Sequence, residues 1–89
     1  MTTNSQGGAS KWLRFENNHV SASGKTLVFD VVAKDGGAIL GEVRWFGRWR
    51  TYAFFPCDGT IYEPTCLRDI AEFIKAQMSA RRLTREGAR

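Results

Sequence analysis

The chain has 89 residues and a formal net charge of +4, with a pI near 9.5, which allows one small domain. Two cysteines, Cys57 and Cys66, and a single histidine, His19, match neither a disulfide framework nor a zinc pattern, so reduced thiols and no metal or other cofactor are expected. Met1 is followed by polar residues rather than a basic and then apolar segment, and no apolar run approaches the ~20 residues needed to cross a bilayer, so the expectation is a soluble, cytoplasmic protein without a membrane partner.

Composition divides the chain into three stretches. Residues 1–10, MTTNSQGGAS, hold no large apolar side chain besides Met1 and read as a disordered leader. Residues 11–80 carry the apolar periodicity of a single domain, and residues 81–89 read as a basic, flexible tail. Residues 1–64 hold seven Lys and Arg against six Asp and Glu, and residues 65–89 hold six against three, so the basic excess lies at the C-terminal end.

Lys11 to Phe15 reads as a short edge strand or as an apolar anchor ending the leader, and Asn17, Asn18, Ser21, Ser23 and Gly24 read as a loop. Lys25 to Ala33, KTLVFDVVA, is β-branched and aromatic, with Leu27, Phe29, Val31 and Ala33 on one face, so it is a strand with its odd side inward. Asp35-Gly36-Gly37 marks a turn before a second strand, Ile39 to Phe46. Antiparallel pairing of the two must set odd residues against odd ones, which demands an odd loop of three or five residues. Five would place Asp30 opposite Arg44, the electrostatically better choice; three would place it opposite Glu42.

Ile39 to Phe55, ILGEVRWFGRWRTYAFF, is a hairpin by its alternation. A two-residue turn at Gly47-Arg48 pairs Phe46 with Trp49, Trp45 with Arg50 and Val43 with Tyr52, and Gly47 supplies the positive φ. Val43, Trp45, Tyr52 and Phe54 then face the core, with Arg50 set to stack on Trp45. Arg44, Phe46, Trp49 and Phe55 face outward. Pro56 ends the strand. Thr65 is placed to cap a helix whose apolar stripe is Leu67, Ile70, Ala71, Ile74 and Met78, broadened by Phe73. The helix is expected to end near Ala80 or Arg82, with Gly87 as its outer limit. The fold class is α+β: a three- or four-stranded antiparallel meander with one C-terminal helix packed on one face.

No constellation supports catalysis. Ser23-Gly24-Lys25-Thr26 has the end of a phosphate-binding loop, but His19 stands where its first glycine belongs and a strand follows rather than a helix. Neither cysteine has a histidine near it in sequence, and the acids are scattered, so the protein is expected not to be an enzyme. The remaining chemistry is binding. Phe46 and Trp49 on an otherwise polar face, with Arg44 and Arg48 beside them, make a contact patch, and Arg81, Arg82, Arg85 and Arg89 make a phosphate-seeking helix end. Nucleic acid is one partner of that chemistry. A host or phage protein, or a second copy of the chain, is the other, because Asp30 and Glu42 on the same face repel phosphate.

Two runs carry a resemblance: WFGRWRTYAFFP, and TIYEPTCLRDIAEFI downstream. Trp45, Gly47, Trp49, Arg50, Tyr52, Phe54, Phe55 and Pro56, followed by Cys66, Leu67, Asp69, Ile70 and Phe73, resemble a family of small uncharacterised phage, prophage and bacterial proteins. Those proteins pair a W-x-G-x-W-R-x-Y-x-F-F-P hairpin with a C-L-x-D-I-x-x-F helix. The resemblance runs from about Lys25 to Met78 and implies a phage-linked accessory role, with no activity or catalytic residues to carry over.

Overall fold

A computed structural model describes the backbone of residues 11–87 and the side chains as far as Leu83. The leader at 1–10 and the end of the tail at 88–89 lie outside the described residues. Four strands, β1 (Leu13–Val20), β2 (Leu27–Ala33), β3 (Ile39–Phe46) and β4 (Thr51–Pro56), are followed by α1 (Pro64–Gly87). The strands pair antiparallel in the order β1-β2-β3-β4, so every strand lies beside its sequence neighbour. This is the α+β meander with one helix that the alternating pattern demands.

The first strand is longer than its composition suggests. It runs through Asn17, Asn18 and His19, which the sequence assigns to a loop. These polar residues are tolerated because β1 is an edge, and a bulge between Asn17 and His19 breaks the register there. Asn18 donates its side-chain amide to both carboxylate oxygens of Asp30 at 3.2 Å. The β1–β2 turn closes on Ser21, whose Oγ accepts from the Thr26 hydroxyl at 2.8 Å.

Between β2 and β3, Asp30 sits opposite Glu42 rather than Arg44. The parity requirement is met by an even, four-residue loop, 34–37, plus one extra residue, Leu40, bulged between the Val31–Gly41 and Val32–Ile39 pairs. The facing acids each have a different partner: Asn18 for Asp30, and Arg44 for Glu42 at 3.1 Å. The bulge carbonyl of Leu40 accepts from the Cys57 N–H at 2.8 Å and from the Tyr62 hydroxyl at 2.7 Å. One kink in β3 therefore holds the segment that leads into the helix.

The β3–β4 register corrects the two-residue turn. Phe46 pairs with Thr51, Trp45 with Tyr52 and Val43 with Phe54, leaving Gly47–Arg50 as a four-residue loop. Lengthening the loop from two residues to four slides the pairing by two, so every side chain keeps its face. The positive φ falls on Arg50, at 55°, and not on Gly47. Gly41 is required where it stands: a Cβ there would lie 2.5 Å from the Phe55 carbonyl oxygen and 2.8 Å from the Phe54 ring.

The helix starts one residue before the expected cap. Glu63 is the cap, its Oε1 accepting the Cys66 N–H at 2.6 Å, and Pro64 takes the first helical position, where its missing N–H costs nothing. The buried stripe is also rotated. Phe73 is fully buried at its centre, flanked by Ile70 and Gln77, while Leu67 is 51% exposed and Ala71 is exposed. Phe73 sets the rotation because it stacks on Phe15 at 4.2 Å and meets the edge of Phe29 at 4.9 Å. Leu13, Val31, Val43 and Tyr52 complete the core between sheet and helix. The helix continues to Gly87, so the stretch 81–87, read from composition as tail, is helical. No helix among the described residues is long and apolar enough to cross a membrane.

Candidate functional site

The residues that the sequence groups as one patch separate into two places. On the outer sheet face, Phe46 meets the edge of Trp49 at 4.9 Å and of Phe55 at 6.0 Å. Arg44 lies over the Phe55 ring, 3.6 Å from its centroid, and its Nε donates to Glu42. This arginine is engaged twice. Farther along β1, Arg14 pairs with Glu16. The outer face thus sets an aromatic cluster beside described ion pairs that neutralise one another, and Trp49, 69% exposed, projects from its loop end.

The second place is on the other side of the β3–β4 loop. Arg50 does not stack on Trp45, because the longer loop removes it from that pair. Arg81 takes the position instead, reaching from the helix to lie 4.3 Å from the Trp45 ring centroid. Both planar groups gain from this geometry: the ring face carries negative potential, and the guanidinium is weakly hydrated. Arg81 is half-buried, and its Nε is shut off from solvent with no hydrogen-bond partner.

Beside this stack lies a cavity of about 590 Å³, walled by Lys25 and Leu27 at the start of β2, by Arg50 and Tyr52 at the start of β4, and by Gln77, Ala80 and Arg81 of the helix. Three cations line it and, among the described residues, no carboxylate does. None of the three is paired with an acid among the described residues, in contrast to Arg14, Arg44 and Lys75. Tyr52 is 5% exposed; its oxygen accepts the Leu27 N–H at 3.1 Å, and its own proton has no acceptor among the described residues. Gln77 is 8% exposed and its side-chain amide has no hydrogen bond among the described residues. It also borders a smaller cavity of about 230 Å³ with Phe15, Asn17 and Phe29.

Of the expected site residues, Arg44, Phe46 and Trp49 come together on the outer face; Arg48 is exposed in the loop; Arg81 is drawn into the core's rim; and Arg82 is exposed. Arg85 lies on the helix, with its side chain outside the described residues. Sequence reasoning missed Lys25, Arg50, Tyr52 and Gln77 as neighbours. One signal was available: Gln77 follows Phe73 by four and Ile70 by seven, so a polar residue occupies a core position of the helical period. Among the described residues no three His, Cys, Asp or Glu side chains converge as metal ligands.

The chain is 36% identical over 58 residues to an uncharacterised 9.3 kDa protein of Acholeplasma phage L2, an alignment that covers 65% of this chain and 74% of the phage protein. The chain belongs to the family of that phage protein. No family model matches the sequence, and no solved structure matches the fold. The cations and aromatics described above are therefore judged on their geometry alone.

Proposed function

We propose that this is a non-catalytic, phage-type accessory protein that binds single-stranded nucleic acid at its hairpin-loop end. The observation that carries this reading is the cleft with Lys25, Arg50 and Arg81 unpaired and no acid among its described walls, where Arg50 directly follows the exposed Trp49 in the chain. A strand crossing that end finds cations for its phosphates and an indole face for a base, the combination on which sequence-tolerant single-strand binding rests. Arg48 and Arg82, both exposed, extend the positive surface.

Fluorescence anisotropy with a labelled single strand tests it. Three to four neutralised phosphates give a slope of log affinity on log salt of about −2 to −3, a loss of roughly 20- to 50-fold between 50 and 200 mM salt. Trp49→Ala removes a stacking platform worth about 1–3 kcal/mol. A wild-type protein that leaves single strands free at low salt sinks the reading.

A specific observation favours a second reading, a protein partner such as a host enzyme or defence complex docked on the outer sheet face. Arg44 is already bound by Glu42 and Phe55, so the Phe46–Trp49–Phe55 cluster presents rings without free charge. Such a contact would be nearly indifferent to salt and would be lost in Phe46→Ala and Trp49→Ala together. Equal recovery of one named partner by wild type and double variant rules it out.

A further inference from the structure

We infer that the cleft between β2, β4 and the second half of α1 is a receptor for a phosphate monoester, the dianionic group carried by the end of a nucleic-acid strand or by a free nucleotide. This deepens the reading of the same site as a nucleic-acid contact and rests on it for the strand-end source.

Charge is the first argument. Lys25, Arg50 and Arg81 come from three separate parts of the chain and line one cavity without a carboxylate among its described walls. An internal phosphodiester carries one negative charge, whereas a terminal monoester near neutral pH carries between one and a half and two (~1.5–2). Three convergent cations are matched better by the second. Arg81 lies over the Trp45 ring, 4.3 Å from its centroid, and makes no ion pair among the described residues, so its N–H groups remain to donate to such a group.

Buried polar groups are the second argument, independent of charge. Tyr52 and Gln77 are each more than nine-tenths buried, each lines the cleft, and each retains a donor with no acceptor among the described residues. The Gln77 amide is not shut off from solvent, so water serves it until a ligand takes its place, and the atom among the described residues that is buried with no partner is the Nε of Arg81 in the same cleft, an arrangement that interiors rarely leave unmatched. A monoester offers three terminal oxygens, enough to accept from the Tyr52 hydroxyl and the Gln77 amide while the cations take the rest. The volume, about 590 Å³, lies within the range of sites that enclose a nucleotide-sized ligand.

Four ligands titrated into the full chain, with Trp45 beside Arg81 as a fluorescent reporter, test the inference: a nucleoside monophosphate, an oligothymidylate with a 5′-phosphate, the same strand with a 5′-hydroxyl, and an acidic peptide. The phosphorylated strand is expected to bind at least ~10-fold tighter than its hydroxyl counterpart, one terminal charge-assisted contact being worth about that factor. The exposed Lys25→Gln, which leaves the core untouched, should reduce the preference several-fold; Gln77→Glu, which sets a carboxylate in the cleft, should abolish it. Equal binding of the two strands overturns the monoester receptor and leaves the single-strand reading standing. Binding of the nucleoside monophosphate with neither strand bound upholds the receptor and overturns the single-strand reading. Preference for the acidic peptide over every phosphate ligand, or no binding of any ligand, overturns the receptor.

Discussion

Arg50 is the non-glycine residue with a positive φ among the described residues, at 55°. It closes the β3–β4 loop, whose turns are held by Trp49 N–H to Phe46 O and Arg50 N–H to Gly47 O, both at 3.2 Å. A side chain in the left-handed region costs about 1–2 kcal/mol through the approach of Cβ to the following carbonyl oxygen. Arg50→Gly and Arg50→Ala both delete the guanidinium, but only glycine relieves the backbone, and glycine's looser unfolded chain returns about 0.5–1 kcal/mol of that relief. The net advantage of Gly over Ala is about 0.5–1 kcal/mol, or roughly 2–8 °C in melting temperature for a domain of this size. Deleting the cation also removes repulsion from Lys25 and Arg81, so both variants should gain at low salt, and that part fades as salt is added. Thermal denaturation followed by circular dichroism at two salt concentrations separates the two effects. An Ala variant as stable as the Gly variant at both salts would refute the strain argument.

Gly41→Ala forces a Cβ against the Phe55 carbonyl and the Phe54 ring, and should cost about 1–3 kcal/mol in urea denaturation, with a retained stability overturning the close-approach reading. Phe73→Ala empties the centre of the helix–sheet core and should cost about 3–5 kcal/mol, enough to leave this small domain largely unfolded by circular dichroism at 37 °C. The two thiols should differ in alkylation at neutral pH. Cys57 is exposed and reacts first, whereas partial burial pushes the Cys66 thiol up from its usual range near ~8.5 and slows it. The same shift favours the protonated thiol in the folded state, so its stabilisation is complete below the unfolded value and is lost as pH rises through the folded one. Equal labelling rates would contradict the burial.

The meander and its inward face were legible because alternation with period two survives any even change of loop length. Trp45, Tyr52 and Phe54 reach the core although the turn was misplaced by two residues, since the shift preserved parity. The positions of Arg50 and Arg81 were not legible for the same reason: parity decides which face a side chain takes, and says nothing of which cation reaches Trp45. Leu40 shows a second limit. A bulge satisfies the parity rule without any sign in the residues themselves, and it changed which acid faces Asp30. Phe73 shows a third. The apolar residues of α1 allow two neighbouring stripes, and the choice between them depended on Phe15 and Phe29, far away in sequence.

The sheet's order has a consequence in time. Each strand pairs with the next across a short loop, so the three hairpins close through local contacts, on the microsecond scale of hairpin formation. The cleft cannot close with them. Its walls at Lys25 and Arg81 are joined only when the second half of the helix settles over the sheet, the most distant contact that the site requires. Tyr52 N–H to Met78 Sδ and Arg81 over Trp45 hold that half-helix on the sheet, a ligand in the cleft adds to those ties, and amide exchange along Gln77 to Arg81 should slow whenever the cleft is filled.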